Sequence, residues 1–252
     1  MTTSASTTIR KTMNVMAKPI GPACNIDCDY CYYLSKEGLL EYDKNCKPKM
    51  DNMLLEQYIK SYIEQQNTEV IVFHWQGGEP TLLGVSYFRE VIRLQKKYEP
   101  KNVKIENNLQ TNGTLINDEW ARFLAKHNFL VGISIDGPEL YHNAYRTNKA
   151  GRGTFKQTMK GLDFLKRHNV SFATLTCVNN LTGQNPVEIY RFLRDEVGST
   201  QMQFIPIVEL KSYLDSAPQY WGADEVLFDG MPELEPDHSN SIVEPWCVAS
   251  EQ

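Results

Sequence analysis

The chain has 252 residues, of which 41% are hydrophobic and 23% are charged, and its formal net charge is -5. This composition is typical of a globular protein with one sizeable core, and it excludes a chain that is disordered throughout. It also lacks the basic face that nucleic-acid binding requires. No long apolar run and no apolar leader segment occur, so neither a membrane span nor a secretory signal is expected, and the expected location is the cytoplasm.

Charge is distributed unevenly along the chain. Residues 1–211 carry about +4, whereas residues 212–252 carry -9 and contain no Lys or Arg. The last segment is also rich in proline and has no sustained hydrophobic period, which is typical of a loop or linker. We therefore predict a flexible N-terminus over 1–12, a core domain over 13–208, and an acidic linker or the start of a further domain over 209–252.

Within the core, apolar β-prone segments alternate with amphipathic segments about every thirty residues, which is typical of βα units. Strands are predicted at 13–19, 70–75, 103–109, 129–135, 170–178 and 201–207. Helices are predicted to begin near residues 52, 86, 118, 155 and 186. Thr154 with Gln157 and Asn185 with Glu188 have capping-box spacing.

These units favour an α/β fold, a partial (β/α)6 TIM-like barrel with an irregular acidic C-terminal extension. An open doubly wound sheet is the alternative. It is disfavoured because the glycine motif of this chain is not G-x-G-x-x-G and no acidic ribose partner is placed for it.

Polar and glycine-rich motifs follow the predicted strands rather than precede them. They are the cysteine loop after the first strand, then "QGGEPT" (76–81), "QTNGT" (110–114), "SIDGP" (134–138) and the asparagine pair 179–180. In parallel α/β folds, active sites gather at the carboxyl ends of the strands. We expect these five segments to converge.

The first of these segments, "ACNIDCDYCYY" (23–33), holds three cysteines within eight residues. Soft thiolates in one loop favour an iron-sulfur cluster or zinc, and plain structural cysteines are a third possibility. A structural zinc site needs a fourth Cys or His at a regular spacing, and no such residue is evident. Three thiolates on a [4Fe-4S] cube leave one iron open to a small molecule.

Other reactive residues have simpler interpretations. Cys46, Cys177 and Cys247 are scattered, and we expect them to do no chemistry. His74 on the second strand is expected to be a packed or hydrogen-bonded side chain rather than a ligand. Asp136 in "SIDGP" is either a site carboxylate or a residue that shapes the turn.

Together these motifs resemble a known family. "CNIDCDYCYY" is similar to the radical S-adenosylmethionine (SAM) signature Cys-x3-Cys-x-aromatic-Cys, and "GGEP" to the second motif of that superfamily. "FHWQGGEPTLLG", "NLQTNGTLIND", "VGISIDGP" and "YHNAYR" resemble the anaerobic sulfatase-maturating enzymes within it. The resemblance extends from about Val15 to Val208.

The resemblance implies a [4Fe-4S] cluster held by Cys24, Cys28 and Cys31. Its open iron would take the amino and carboxylate groups of SAM. Gly78 and Glu79 would engage the methionyl ammonium.

Four further residues match SAM contacts of the family. Tyr30 would lie against the adenine, although a purely packing aromatic is the alternative. Ser134 and Arg146 match the ribose and carboxylate contacts. Val208 aligns with an apolar adenine contact.

The implied reaction is the reductive cleavage of SAM, followed by oxidation of a Cys or Ser of a sulfatase polypeptide to Cα-formylglycine. Tyr33 and Gln76 fall where the family contacts its peptide substrate. A low-potential electron donor is the second implied partner, and no nucleic-acid or membrane partner is expected.

The chain departs from the family pattern after residue 208. Family members continue with a cysteine-rich SPASM-type domain that binds auxiliary clusters, and an aspartate general base precedes that domain. We therefore expect a radical SAM core that binds the cluster and SAM but completes formylglycine formation poorly or not at all. The alternatives are a related maturase of another peptide, a zinc module, or a non-catalytic protein-binding domain.

Overall fold

The computed structural model describes residues 13–31, 33 and 49–207. The strands in this part of the chain are β1 (Met16–Ala17), β2 (Ile26–Cys28), β3 (Val70–Trp75), β4 (Lys104–Thr111), β5 (Leu130–Ser134), β6 (Arg146–Asn148), β7 (Phe172–Val178) and β8 (Met202–Pro206). The α-helices are α1 (Asn52–Glu64), α2 (Gly84–Tyr98), α3 (Asp118–Lys126), α4 (Glu139–Tyr145), α5 (Phe155–Arg167), α6 (Asn180–Gly183) and α7 (Pro186–Arg191). A 3-10 turn (Pro80–Leu83) precedes α2, and a π-helical turn (Phe192–Glu196) follows α7.

Six strands form one parallel sheet in the order β1-β3-β4-β5-β7-β8. Neighbours in this sheet follow each other along the chain, with helices in the connections. A doubly wound sheet instead reverses its strand order at a switch point, which this sheet does not do. The α/β expectation is therefore confirmed, and the strand order is that of an open, partial barrel.

One face of the sheet packs against the helices and forms the core. Phe73 and Trp75 on β3 and Leu109 on β4 are at most 1% exposed, as are Phe88 and Leu94 on α2. The Trp75 and Phe88 rings meet edge to face, with centroids 5.9 Å apart. Each large apolar side chain buried in this way contributes about 1.5–3 kcal/mol to folding. This face therefore supplies the stability of the domain.

The opposite face of the sheet carries several polar side chains and is only partly buried. His74 on β3 contacts Asn108 on β4, with 3.3 Å between Nδ1 and Nδ2. Gln110 on β4 donates from Nε2 to Ser134 Oγ on β5 at 3.1 Å. Strand residues alternate between the two faces, so the same strands build both the core and this polar surface.

A second, two-stranded sheet joins the cysteine loop to the middle of the chain. β2 pairs antiparallel with β6, and this register places Cys28 opposite Arg146. Neither strand can be predicted from the sequence, because three-residue strands carry no readable period. The ribbon fixes the cysteine loop against the segment that follows α4.

The predicted strands of the main sheet and the five helix starts are confirmed to within about three residues. The two capping boxes are wrong, since neither Thr154 nor Asn185 makes a side-chain capping bond. The Thr154 hydroxyl instead donates to the carbonyl of Arg146 at 2.9 Å. A capping box does occur at Asn179, at the start of α6.

Among the described residues, no helix is long and apolar enough to cross a membrane. The expected N-terminal segment 1–12 and the segment 209–252 lie outside the described residues.

Candidate functional site

Three cysteines of the loop after β1 lie together at the carboxyl end of the sheet. Cys24, Cys28 and Cys31 are free thiols and are partly buried. A tight turn closes the loop, in which the backbone N–H of Cys31 donates to the carbonyl of Cys28 at 2.9 Å. Burial raises the pKa of Cys24 to about 11 and that of Cys28 to about 12. Without a bound cation the sulfurs of Cys24 and Cys28 are therefore protonated at neutral pH.

The glycine motif after β3 packs directly against the start of the cysteine loop. The backbone N–H of Gly78 donates to the carbonyl of Gly21 at 2.8 Å, and that of Glu79 donates to the carbonyl of Ala23 at 2.9 Å. A Cβ on Gly78 would lie 2.1 Å from the Ala23 carbonyl oxygen. Only glycine permits this close approach of two backbones.

Glu79 is completely buried at the same place. Its carboxylate accepts hydrogen bonds from Thr81 N at 3.0 Å, Thr81 Oγ1 at 2.5 Å, Thr111 Oγ1 at 2.8 Å and Asn112 N at 2.7 Å. Burial raises the pKa of Glu79, and these hydrogen bonds oppose that effect. The side chain thus ties the end of β3 to the end of β4.

The "QTNGT" turn after β4 contacts the first cysteine. Asn112 Nδ2 lies 3.8 Å from Cys24 Sγ and 2.9 Å from Asn25 Oδ1. Asn25 in turn donates from Nδ2 to Thr114 Oγ1 at 2.8 Å. The second and third predicted segments therefore both contact the cysteine loop.

A buried charged group lies beneath the other end of the loop, and we call Tyr30, Asp136 and Arg146 the Asp136 cluster. Arg146 donates to Asp136 from Nε at 2.7 Å and from Nη2 at 3.1 Å. The Tyr30 hydroxyl also donates to Asp136. Asp136 is 0% exposed and Arg146 is 6% exposed.

The electrostatics of the Asp136 cluster follow from this pairing. Burial on its own would raise the pKa of Asp136, but the adjacent Arg146 guanidinium holds it below its usual value. The carboxylate correspondingly keeps the pKa of Arg146 well above its usual value in spite of burial. Burial also raises the pKa of Tyr30 well above its usual value. The cluster is thus a fixed ion pair with a neutral phenol.

Arg146 is positioned between two sulfurs. Its Nη1 lies 4.0 Å from Cys28 Sγ, and its Nη2 lies 3.8 Å from Cys177 Sγ. The backbone N–H of Cys177 donates to Asp136 at 2.9 Å. Burial raises the pKa of Cys177 to about 11. The end of β7 therefore joins the site through Cys177, two residues before the asparagine pair of the fifth predicted segment.

His142 supports Arg146 from below. Thr154 donates its only hydroxyl hydrogen to the Arg146 carbonyl, so His142 Nε2, at 3.2 Å, must be the donor to Thr154 Oγ1. Nδ1 is buried with no hydrogen-bond partner among the described residues. Burial lowers the pKa of His142 to about 3, so the ring is neutral.

The remaining predicted site residues lie nearby on the polar face or at its edge. Ser134 accepts from Gln110, as described above. The backbone N–H of Gln76 donates to the carbonyl of Ala17 at 2.9 Å. Lys18 Nζ lies 3.7 Å from the centroid of the Tyr33 ring. Val208 lies outside the described residues, as do Cys46 and Cys247.

The donor set fits an iron-sulfur cluster better than a single ion. No three His, Cys, Asp or Glu side chains in the described part of the chain come close enough to hold one metal ion. A zinc ion draws each thiolate to about 2.3 Å from one point, whereas a cube distributes its ligands over different irons. N–H groups near two of the three sulfurs add the polar surroundings typical of cluster ligands.

Sequence reasoning did not find all of this site. Asn25 and Asn112 were not singled out, although both lie inside quoted motifs. The Asp136 carboxylate pairs with Arg146, so this residue does more than shape its turn. No pattern in the sequence could indicate that these two residues meet.

Comparison with known proteins shows the family of this chain. The Radical SAM superfamily profile matches residues 19–193. The serine-type anaerobic sulfatase-maturating enzyme of Bacteroides thetaiotaomicron is 42% identical over 199 residues, which are 79% of this chain and 47% of that enzyme. The cysteine-type enzyme of Clostridium novyi is 36% identical over 199 residues, which are 79% of this chain and 52% of that enzyme.

A solved structure has the same fold. The native anSMEcpe structure with bound AdoMet and Cp18Cys peptide aligns with a TM-score of 0.70 and 34% identity, covering 78% of this chain and 51% of that chain. The chain described here thus spans about half the length of the relatives it matches.

Proposed function

This chain belongs to the radical SAM superfamily, and we propose that it uses the cofactors of that superfamily, a [4Fe-4S] cluster and SAM, to oxidise a Cys or Ser of a sulfatase polypeptide to Cα-formylglycine. One observation carries the proposal. Segments from the ends of β3, β4, β5 and β7 all converge by hydrogen bonds on the loop that holds the three cysteines or on the Asp136 cluster below it.

In this proposal Cys24, Cys28 and Cys31 hold the cluster, and residues 13–208 are the radical SAM core. When bound, the reduced cluster and SAM together supply a carbon radical that can remove a hydrogen atom from an unactivated carbon. The protein must bind, orient and shield that chemistry. The sulfurs are partly buried, and Cys28 is part of the β2–β6 ribbon, which suits the site to this task.

Arg146 has its Nε and Nη2 committed to Asp136. We propose that its remaining nitrogen, Nη1, on the side of Cys28, contacts SAM. Since Asp136 fixes the plane of the guanidinium, this nitrogen has a defined direction before any ligand arrives. Tyr30 lies with its ring centroid 5.4 Å from the Arg146 guanidinium carbon, and we propose that it lies against the adenine.

Gly78, Glu79 and Ser134 complete the proposed SAM contacts in the described residues, and Val208 adds an apolar one. Glu79 Oε2 accepts one hydrogen bond, from Asn112, and a carboxylate oxygen can accept more. We propose that this oxygen, or the backbone beside Gly78, receives the ammonium of the methionyl group. The carboxylate charge then compensates the charge of the ligand.

The substrate is proposed to enter along the polar face of the sheet and to contact Gln76 and Tyr33. The Bacteroides thetaiotaomicron and Clostridium novyi relatives are named for sulfatase maturation, with serine and cysteine as the two types. We extend that substrate class to this chain as a proposal. A low-potential electron donor and a cytoplasmic location belong to the same proposal, because a strongly reducing cluster needs a reducing, oxygen-poor compartment.

The proposal is tested by tracing the hydrogen atom that is removed from the substrate peptide. The chain is reconstituted anaerobically with iron and sulfide, then given dithionite, SAM and sulfatase-derived peptides whose target Ser or Cys carries deuterium on Cβ. We expect deuterium in the 5′-deoxyadenosine, detected by mass spectrometry. A peptide with deuterated Ala at the target position is the matched control and should transfer none.

This readout reports hydrogen abstraction even when aldehyde formation is slow. Two results together would show that the chain modifies another peptide and not a sulfatase. They are SAM cleavage without deuterium transfer from any sulfatase peptide, and deuterium transfer from an unrelated peptide.

A further inference from the structure

We propose that Asn25, Asn112 and Thr114 form a positioning network that fixes Cys24 and donates an N–H to its sulfur when the cluster is bound. We call these three residues the Asn112 network. The inference rests on the proposed function, because it assumes that Cys24 is a cluster ligand. It goes beyond that function by naming residues around Cys24 that determine how tightly the cluster is bound.

The three side chains form a closed cycle of hydrogen bonds. Asn112 Nδ2 donates to Asn25 Oδ1 at 2.9 Å, Asn25 Nδ2 donates to Thr114 Oγ1 at 2.8 Å, and Thr114 Oγ1 donates to Asn112 Oδ1 at 2.7 Å. Each member is both donor and acceptor, so the bonds reinforce one another.

The orientation of the Asn112 amide is determined by its neighbours. Asn112 Oδ1 accepts from the backbone N–H of Thr114 at 2.9 Å as well as from the hydroxyl. An NH2 group at that position would face the backbone N–H of Thr114, which can only donate, so the oxygen must occupy it. The amide nitrogen therefore points to the cysteine loop. One of its hydrogens serves Asn25, and the other faces Cys24 Sγ at 3.8 Å.

The backbone of Asn112 is held equally firmly. Its N–H donates to the buried Glu79 carboxylate at 2.7 Å, and its carbonyl accepts from Thr158 Oγ1 at 3.0 Å. Asn112 itself is 8% exposed. The network is thus attached to the end of β4. The remaining amide hydrogen of Asn112 cannot turn away from the Cys24 sulfur without breaking the cycle.

An N–H donor at a ligand sulfur stabilises the negative charge that the sulfur carries in a cluster. Such hydrogen bonds raise the reduction potential, because the reduced cluster is the more negative form. Removing a partner of a metal ligand typically weakens metal binding by tenfold or more. We therefore expect the Asn112 network to slow cluster loss and to raise the potential, without contacting the substrate.

Three substitutions test this. Asn112→Asp keeps the shape but replaces the donor by an acceptor next to the sulfur. Thr114→Val keeps the shape but opens the cycle, and Thr114→Ser retains the hydroxyl. Asn102→Asp is the matched control, since Asn102 is exposed and precedes β4 at the end opposite Asn112.

Each variant is loaded anaerobically with iron and sulfide, and two properties are measured. One is the rate at which an iron chelator removes the cluster, followed by absorbance. The other is the midpoint potential from an EPR-monitored redox titration. We expect Asn112→Asp to lose iron about tenfold faster, with a more negative potential, and Thr114→Val to shift both in the same direction by less. Thr114→Ser and Asn102→Asp should behave as wild type.

Equal chelation rates and potentials for Asn112→Asp and Asn102→Asp would overturn the inference. So would Thr114→Ser behaving like Thr114→Val, since the hydroxyl would then be irrelevant. A purely structural role would lower the stability of the metal-free chain but leave the potential unchanged, which also counts against the inference. Failure of the wild-type chain to bind iron would instead refute the proposed function, so the two failures are distinguishable.

Discussion

The cysteine loop is held at its two ends by contacts of different chemistry. At Cys24 the contacts are neutral, and consist of the Asn112 network and the backbone bonds from Gly78 and Glu79. At Cys28 the contact is the Asp136 cluster, in which the buried Asp136–Arg146 ion pair holds Tyr30 of the loop by a hydrogen bond.

The two kinds of contact should fail differently. Removing one partner from a buried ion pair leaves an uncompensated charge and destabilises the whole domain. Removing one neutral hydrogen bond at a partly exposed position costs much less. The ion pair should therefore contribute to the stability of the fold, and the neutral hydrogen bonds should mainly affect the bound cluster.

The largest effect is expected for Asp136→Asn. Each oxygen of Asp136 accepts two hydrogen bonds, from Tyr30 and Arg146 on one side and from Arg146 and Cys177 N on the other. An amide NH2 in either orientation would face two donors, and the buried guanidinium would lose its counter-charge. We expect a loss of about 3–5 kcal/mol in the free energy of unfolding, measured by urea denaturation of the metal-free chain.

Asp118→Asn is the control for that prediction, because Asp118 pairs with Arg122 and His168 at the surface. The loss in the free energy of unfolding should be far smaller for Asp118→Asn. Equal losses for the two variants would contradict the view that Asp136 is the structural end of the loop.

The second prediction concerns the close approach at the other end. Gly78→Ala places a methyl group 2.1 Å from the Ala23 carbonyl oxygen, which belongs to the backbone and cannot rotate away. We expect a loss of about 3 kcal/mol and a reduced iron content after reconstitution. Gly151→Ala is the comparison, since Gly151 has a positive φ of 71° but open space around it. It should lose only about 1 kcal/mol and bind iron normally.

The third prediction uses pH to probe the support below Arg146. The folded pKa of His142 is about 3 and its ordinary value is 6.5. The folded value is the lower one, so the unfolded chain binds the proton first, and stability is lost as the pH falls below 6.5. Between pH 7 and pH 4 the wild-type chain should lose about 3 kcal/mol more than His142→Gln, measured by urea denaturation at each pH. Parallel pH dependence of both proteins would show that His142 is not the group that titrates.

The smallest effect is expected for Tyr30→Phe. The Tyr30 hydroxyl donates to Asp136, but the carboxylate keeps the donors from Arg146 and Cys177. We expect a loss of about 1 kcal/mol in the same urea experiment. A loss as large as that of Asp136→Asn would mean that the phenol, and not the ion pair, holds this end of the loop.

The sequence predicted the parts of the molecule that depend on local pattern. Alternating apolar segments such as "VIVFHW" located the six strands, and the position of the polar motifs after them predicted their convergence. The cysteine spacing located the candidate cluster ligands for the same reason, since one loop holds all three.

What the sequence could not predict are contacts between distant residues. Arg146 was expected to meet a carboxylate of a ligand, but its first carboxylate partner is Asp136, ten residues earlier and across the site. The β2–β6 ribbon and the Asn25–Asn112 bond join segments more than eighty residues apart. Such pairings depend on the tertiary arrangement, and short polar segments have no periodic pattern from which the pairings could be predicted.

If the converging segments form a working radical SAM site, the chain cleaves SAM. The chain is reconstituted anaerobically with iron and sulfide, reduced with dithionite, and given SAM, and 5′-deoxyadenosine is quantified by mass spectrometry beside Cys28→Ala. We expect product from the wild-type chain and none from the variant. A wild-type chain that holds about four irons yet forms no 5′-deoxyadenosine, or a Cys28→Ala chain that forms as much as wild type, would contradict this expectation.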